Sequence, residues 1–315
     1  MSLPSRARGV AVVGSINADL TAFGSPLPRP GETVTADSFS MMLGGKGANQ
    51  ALAASRAGVP TFMVGAVGDD LFRALTLDAL TADGVNTDAV AVLAGHTGIA
   101  HIRVDQETSQ NDIAIIAEAN GRITPEIAAV QLRRLEGRIG VVLLQLEIPL
   151  ESVVTAAAVA HELGCQVVLD PAPAQELPEE IWASVDVVKP NETEAEVLTG
   201  IRAHDEASAG AAGRWFVDRG VGAAVITMAE RGVAVVTAEG TSSYPAFPVT
   251  PVDTTAAGDG FAGYLGAGLA SGLGWDEAIR RSLAAGALAV TVRGASQSLP
   301  TARQVDEFLA AHPVP

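Results

Sequence analysis

The chain has 315 residues, 48% of them hydrophobic but only 4% aromatic, so a large buried core is affordable and must be built from Ala, Val, Leu and Ile. A formal net charge of −16 argues against nucleic-acid binding, because phosphate backbones select basic surfaces, and it requires any polyanionic ligand to be met by locally placed amides, cations or metal ions. Cys165 is the sole cysteine, which excludes an intrachain disulfide, and the absence of a signal-like or spanning apolar segment ahead of the first strand pattern makes the cytoplasm the expected setting, with no membrane partner.

Short β-branched runs bounded by turn residues predict strands at 10–13, 141–146, 167–169, 185–188 and 223–227. Amphipathic patterns predict helices at 150–163, 192–198 and 207–219. Strands alternating with helices indicate a parallel sheet with right-handed crossovers. Two stretches break that rhythm. Residues 19–43 carry Pro26, Pro28 and Pro30, then Thr33-Val34-Thr35 and Phe39, and residues 98–116 alternate through Ile99, His101 and Arg103 to Ile113 and Ile115. Both read as extended segments, either paired into a small flap or left as decorated loops. No internal repeat is present.

Five constellations are able to carry chemistry. Gly14-Ser15-Ile16-Asn17-Ala18-Asp19 follows the first strand, which places Asn17 and Asp19 at the carboxyl edge of the sheet, where open α/β folds bind ligands. An amide and a carboxylate suit a polyhydroxylated ligand, or else they serve a local turn. Gly44-Gly45-Lys46-Gly47-Ala48-Asn49-Gln50 opens an Ala-rich helix running to Ala57, with glycines that permit close backbone approach and expose amides. The spacing is not that of a Walker A loop. Gln145-Leu146-Glu147 puts a carboxylate at the end of a buried strand, where charges are normally paired or bind something.

Lys189-Pro190-Asn191-Glu192-Thr193-Glu194 joins a strand to a helix. Asn191 and Glu194 form either a capping box or the support for waters around Mg²⁺. Finally, Asp253-Thr254-Thr255-Ala256-Ala257-Gly258-Asp259-Gly260-Phe261 leads into an Ala/Gly-rich helix, where small residues leave the amides of Ala256, Ala257 and Gly258 open to an anion. Asp259 is either a favourable first-turn carboxylate or a base placed beside that cradle. Positioning and electrostatics dominate phosphoryl transfer, so an ordinary carboxylate suffices.

The segments Gly-Gly-Lys-Gly-Ala-Asn at 44–49 and Asp-Thr-Thr-Ala-Ala-Gly-Asp at 253–259 resemble the two signature regions of the ribokinase-like carbohydrate kinase family. The resemblance runs from Gly14-Ser15-Ile16-Asn17 to Gly294-Ala295. It is nearest to the family's ribose-phosphorylating members, through Pro30-Gly31-Glu32-Thr33-Val34, Gln145-Leu146-Glu147 and Pro190-Asn191-Glu192-Thr193-Glu194. It implies an α/β fold: a three-layer α/β/α sandwich with a mostly parallel central sheet, in one domain over residues 1–315, and a small β-sheet lid from segments near 19–43 and 98–116. It implies ATP-dependent phosphorylation of D-ribose at the 5-hydroxyl. Asp259 would then be the base and the amides of Ala256, Ala257 and Gly258 the anion hole.

By the same resemblance Asn17, Asp19, Gly45, Lys46, Asn49 and Glu147 would hold the sugar. Asn191, Thr227, Gly232 and Gly258 would line the nucleotide, and Glu194 would serve a Mg²⁺ water shell. Asp253, Thr255, Ala289, Val292, Gly294 and Ser298 would form a K⁺ site, largely through backbone oxygens, that orders the anion-hole loop. A homodimer through the lid is implied as well. Two positions depart from the family pattern: Ala229 stands where relatives usually carry Gly, and Leu283 where they commonly place His or Asn near adenine. Alternative acceptors are 2-deoxyribose, fructose, a ketodeoxy sugar acid or a nucleoside. A nucleoside fits poorly with so few aromatic residues. A sugar-binding regulator without catalysis would be marked by loss of Asp259 or the glycines beside it, and both are present.

Overall fold

The computed structural model describes residues 9–108 and 110–313. Its strands are β1 (Gly9–Val13), β2 (Asn17–Gly24), β3 (Ser38–Gly44), β4 (Thr61–Gly68), β5 (Val85–Leu93), β6 (Gly98–Asp105), β7 (Asn111–Ile116), β8 (Ile139–Leu144), β9 (Gln166–Leu169), β10 (Val187–Val188), β11 (Ala223–Thr227), β12 (Val233–Thr237) and β13 (Thr241–Tyr244). The helices are α1 (Lys46–Arg56), α2 (Phe72–Ala82), α3 (Pro125–Arg133), α4 (Leu150–Glu162), α5 (Glu192–Thr199), α6 (Glu206–Val217), α7 (Ala257–Ala270), α8 (Trp275–Ala289) and α9 (Ala302–Ala311).

Nine strands form the large sheet in the order β13-β12-β11-β10-β9-β8-β1-β4-β5. Pairing is parallel from β5 through β1 to β11, and only the β11-β12-β13 edge is antiparallel. Alternation along the central strands feeds two cores. Ala11 and Val13 face the side with Leu132, Val153 and Phe216 of α3, α4 and α6, whereas Val10 and Val12 face the side with Leu52, Leu265 and Leu283 of α1, α7 and α8. Every residue of β1 is buried, as a parallel strand covered on both faces should be.

Four strands form a second, smaller sheet in the order β3-β2-β6-β7, antiparallel except for the parallel β2–β6 pair. The two off-rhythm stretches therefore pair with each other. Register places Met42, Ala100 and Ile115 in line with Asp19 across this sheet. Phe39, Met41, Ile113, Ile115 and Ile116 are exposed on it.

Several boundaries differ from the sequence expectation. The strand expected at 141–146 stops at Leu144, because the Leu146 amide leaves the ladder to bond the Ala172 carbonyl at 2.9 Å. Glu147 accordingly sits beyond the strand. The strand expected at 185–188 shrinks to Val187–Val188, since Glu179–Ser184 winds into a 3₁₀ turn and the Val185 amide bonds the Trp182 carbonyl. Thr33-Val34-Thr35 is not strand; β3 begins only at Ser38.

Candidate active site

The carboxyl ends of adjacent strands supply a row of polar side chains. Ser15 and Asn17 follow β1, Gln145 and Glu147 follow β8, Asp170 follows β9, Lys189 follows β10, and Thr227 ends β11. This is the edge at which open α/β sheets take ligands. Helices α1, α5 and α7 all begin there.

Asp259 lies in the first turn of α7 and is only 5% exposed. Its Oδ2 accepts from Asn49 Nδ2 at 3.1 Å and its Oδ1 from Gln50 Nε2 at 3.1 Å, so α1 holds both oxygens. Burial pushes its pKa upward, opposed by Lys46 and reinforced by Asp170. Lys46 in turn is held above its usual range, chiefly by the Asp259 charge.

The helix start around Asp259 is open. Its N-cap is Ala256, a non-glycine residue in the left-handed region at φ 59°, and no side chain caps it. Such a conformation costs about 1–2 kcal/mol outside glycine and persists only where the surroundings impose it. Among the described residues the amides of Ala256 and Gly258 have no acceptor, and that of Ala257 makes only a 3.4 Å bond to the Thr254 carbonyl. Three consecutive amides are thus available to an anion.

Close to Asp259, Asp19 Oδ1 and Asn49 Oδ1 are buried acceptors without a partner among the described residues. A donor-rich ligand such as a polyol would satisfy both. Asp19 is raised to about 7 by burial and by the nearby Glu147 and Asp259 carboxylates. Asn17 is buried and its Oδ1 accepts from Asn120 Nδ2 at 2.7 Å. Gly45 has φ 89°, and a Cβ there would lie 3.0 Å from the Asn17 amide, so only glycine lets α1 start this close to β2.

One expectation needs correcting here. The amides that follow Gly45 are not free: Lys46 N donates to Glu147 Oε2 at 3.0 Å, Gly47 N to Ser15 Oγ at 3.3 Å, and Ala48 N to the Ser15 carbonyl at 2.9 Å. Glu147 Oε2 also accepts from Ser15 Oγ at 2.6 Å, which leaves its Oε1 for a ligand.

At the other end of the row, the capping box between Asn191 and Glu194 is fully formed. Asn191 Oδ1 accepts from Glu194 N at 2.9 Å, and the Glu194 carboxylate accepts from Asn191 N and Nδ2, both at 2.8 Å. Burial raises the Glu194 pKa, with Lys189 opposing. Thr227 bridges to Asn191 in parallel. Gly232 follows a 3₁₀ turn in which Ala229 takes φ 46°, so the glycine-to-alanine departure falls on a backbone that glycine would adopt without strain. Leu283 is a core residue of α8.

The loop behind the anion cradle is braced by Asp253. Its Oδ1 accepts from Thr255 N and Oγ1 at 2.9 and 2.6 Å, and its Oδ2 accepts from Gly294 N at 2.9 Å. Among the described residues the carbonyls of Asp253, Thr255, Val292 and Gly294 accept no hydrogen bond, while that of Ala289 accepts from Val292 N and Ser298 Oγ donates to Ala295. Sequence reasoning quoted Ser15, Gln50 and Lys189 within its motifs without giving them a role, and missed Asn120 and Asp170 altogether. Only their positions at strand and helix ends hinted at them.

Comparison with known proteins points to a carbohydrate kinase family. The profile of the pfkB family carbohydrate kinases covers residues 7–302. A ribokinase of Haemophilus influenzae is 38% identical over 304 residues, spanning 95% of this chain and 98% of that protein. A deoxyribokinase of Salmonella typhi is 36% identical over 306 residues, spanning 96% and 98%. The structure of Arabidopsis thaliana ribokinase complexed with ribose and ATP superposes with a TM-score of 0.87 at 31% identity, covering 96% of this chain and 99% of that one. With its parallel sheet, open helix start and buried carboxylate all in place, the chain belongs to the pfkB family of carbohydrate kinases and is a phosphotransferase.

Proposed function

We propose that the chain transfers the γ-phosphoryl group of ATP to the 5-hydroxyl of D-ribose. The observation that carries this reading is Asp259: a buried carboxylate, held by Asn49 and Gln50, beside the free amides of Ala256 and Gly258 and the weakly engaged amide of Ala257 at the start of α7. Asn17, Asp19, Gly45, Lys46, Asn49 and the open Oε1 of Glu147 hold the pentose. Asp259 takes the proton of the 5-hydroxyl as its oxygen forms a bond to the γ-phosphorus. The bond from that phosphorus to the β,γ-bridging oxygen breaks, and ADP leaves. Charge spread over the transferring group meets the amides of Ala256, Ala257 and Gly258, with Lys46 nearby. The proton on Asp259 then passes to solvent.

Asn191, Thr227 and Gly232 line the nucleotide. Among the described residues no group of three or more His, Cys, Asp or Glu side chains is set to hold a metal. Glu194, at the start of α5, would support the water shell of a magnesium ion brought in with the phosphates. Such an ion would supply neutralisation of phosphate charge. The unengaged carbonyls of Asp253, Thr255, Val292 and Gly294, with Ala289 and Ser298, would hold a weakly hydrated monovalent cation such as K⁺, which would stiffen the loop.

The small sheet acts as a lid over the sugar within a single kinase domain of 315 residues, and its exposed Phe39, Met41, Ile113 and Ile115 favour pairing with a second copy. Among the described residues no helix is long and apolar enough to cross a membrane. We place the reaction in the cytoplasm.

ADP release measured over ribose, 2-deoxyribose, fructose, a ketodeoxy sugar acid and nucleosides, with and without K⁺, tests the assignment. Ribose turnover stimulated by K⁺ is expected. Turnover of another acceptor with none on ribose would overturn it, and the deoxyribokinase relative makes 2-deoxyribose the acceptor to watch.

A further inference from the structure

Four polar residues outside the sugar and nucleotide contacts meet behind Asp259. Lys189 Nζ lies 3.1 Å from Asp170 Oδ1, with both side chains 4% exposed. Gln50 Nε2 donates to Asp170 Oδ2 at 2.8 Å and to Asp259 Oδ1 at 3.1 Å. Its Oε1 accepts from Gln145 Nε2 at 2.6 Å. The Gln50 amide is thus fully committed: each of its two hydrogens goes to a different carboxylate, and its oxygen to Gln145. The opposite amide orientation would aim an oxygen at two carboxylates and a donor at a donor, so the chemistry allows one orientation only.

A buried ion pair is a weak stabiliser, because desolvation offsets its Coulomb energy. Its placement is the informative feature. Asp170 and Lys189 follow the neighbouring strands β9 and β10, and a Cβ built on Gly258 would stand 3.6 Å from Lys189 Nζ, which sets the pair beneath the anion cradle. Gln50 then links the pair to the carboxylate beside that cradle.

We infer that Asp170, neutralised by Lys189, is a positioning residue for Asp259 and acts through the Gln50 amide. The inference rests on the reading of Asp259 as the base. Fixing Gln50 fixes the Asp259 carboxylate plane, so the lone pairs not taken by Asn49 and Gln50 keep one direction as the sugar hydroxyl arrives. The pair also sets the charge behind the base. Facing Asp259 are Lys46 from α1, Asp19 from β2 and Asp170 behind β9, while Lys189 and Glu194 act around Asp170, and Glu147 acts on Asp19 and Lys46.

The test is the pH profile of kcat/KM for ribose phosphorylation in the full chain, whose acid limb reports the base in the free enzyme. Asp170→Asn leaves Lys189 uncompensated and should move the limb down by about one pH unit, whereas Lys189→Met leaves Asp170 uncompensated and should move it up by about as much. The double variant, which removes both charges and guards against misfolding of a single one, should return the limb close to wild type. Gln50→Leu should lower kcat by about tenfold with the ribose KM within about twofold. Ribose binding by each variant certifies its fold. Limbs of both single variants that coincide with wild type, with Asp259→Asn inactive, would overturn this inference and leave the kinase reading intact. Equal turnover by wild type and Asp259→Asn would overturn both.

Discussion

Two helices that begin at the same sheet edge are started in opposite ways. Helix α5 is closed by its own residues: Asn191 and Glu194 satisfy each other's backbone amides in a reciprocal box. Helix α7 begins at Ala256, without a side-chain cap and with a strained left-handed residue at the N-cap. The difference separates stability from chemistry. A capped start contributes about 1 kcal/mol to its own helix. An uncapped one keeps donors unspent, and the protein accepts the strain so that an anion can collect them. Helix α1 is a third solution, its first amides taken by Glu147 and Ser15 from distant strands.

Substitutions sharpen that contrast, and the largest effect is expected at α7. Asp259→Asn should lower kcat by about 10³-fold with little change in ribose binding, as loss of a general base does. Steady-state kinetics with ribose and ATP checks this, and near-wild-type turnover would reduce α7 to a structural helix.

Next in size is a pH effect at Asp19. Its folded pKa stands at about 7, above the ordinary 3.8, so between those values the folded chain retains a proton that the unfolded chain releases. Stability contributed at this site is therefore greatest below about pH 4, falls as pH climbs to about 7, and is flat beyond. Asp19→Asn should remove that decline, with a stability gain of about 1–2 kcal/mol at pH 8 relative to pH 5 and weaker sugar binding. Urea unfolding of both proteins at the two pH values measures it. An unchanged difference would mean that the carboxylate is as well solvated as an exposed one.

The closed helix should respond first in stability, and in the KM for ATP because Asn191 also lines the nucleotide in our reading. Asn191→Ala should cost about 1 kcal/mol through loss of the α5 cap, read from the urea midpoint. The smallest effects concern the left-handed alanines. Ala229→Gly should stabilise by up to about 1 kcal/mol with catalysis unchanged or improved. Ala256→Gly should gain a similar amount while kcat falls a few-fold, because glycine relaxes the very turn that presents the amides. Equal kinetic behaviour of these two variants would erase the distinction between a strained loop and a strained active-site turn.

Much of the site was legible in the sequence because its chemistry sits in contiguous motifs. Asn17 and Asp19, Lys46 and Asn49, and Ala256 to Asp259 each announce themselves by small residues beside polar ones at a strand or helix end. Asp170 did not, and Lys189, though it opens the 189–194 motif, carried no role there. Each is a single charge after a short apolar run, and only pairing of β9 with β10 puts them together. Gln50 reads as one more polar residue in an alanine-rich helix until Asp170, Asp259 and Gln145 converge on it. The amides of Lys46 and Gly47, expected to be free, are taken for the same reason, since Glu147 and Ser15 are 101 and 32 residues away from the donors they satisfy.

By itself the sequence determined the alternation of strands and helices, the two segments outside that rhythm and the candidate base, because periodicity and small-residue turns are local properties of the chain. Tertiary structure decided which helix starts are closed and which is open, and which buried charges face one another. Those outcomes depend on side chains brought from distant strand ends into a space without water, where each unpaired donor or charge carries its full energetic weight.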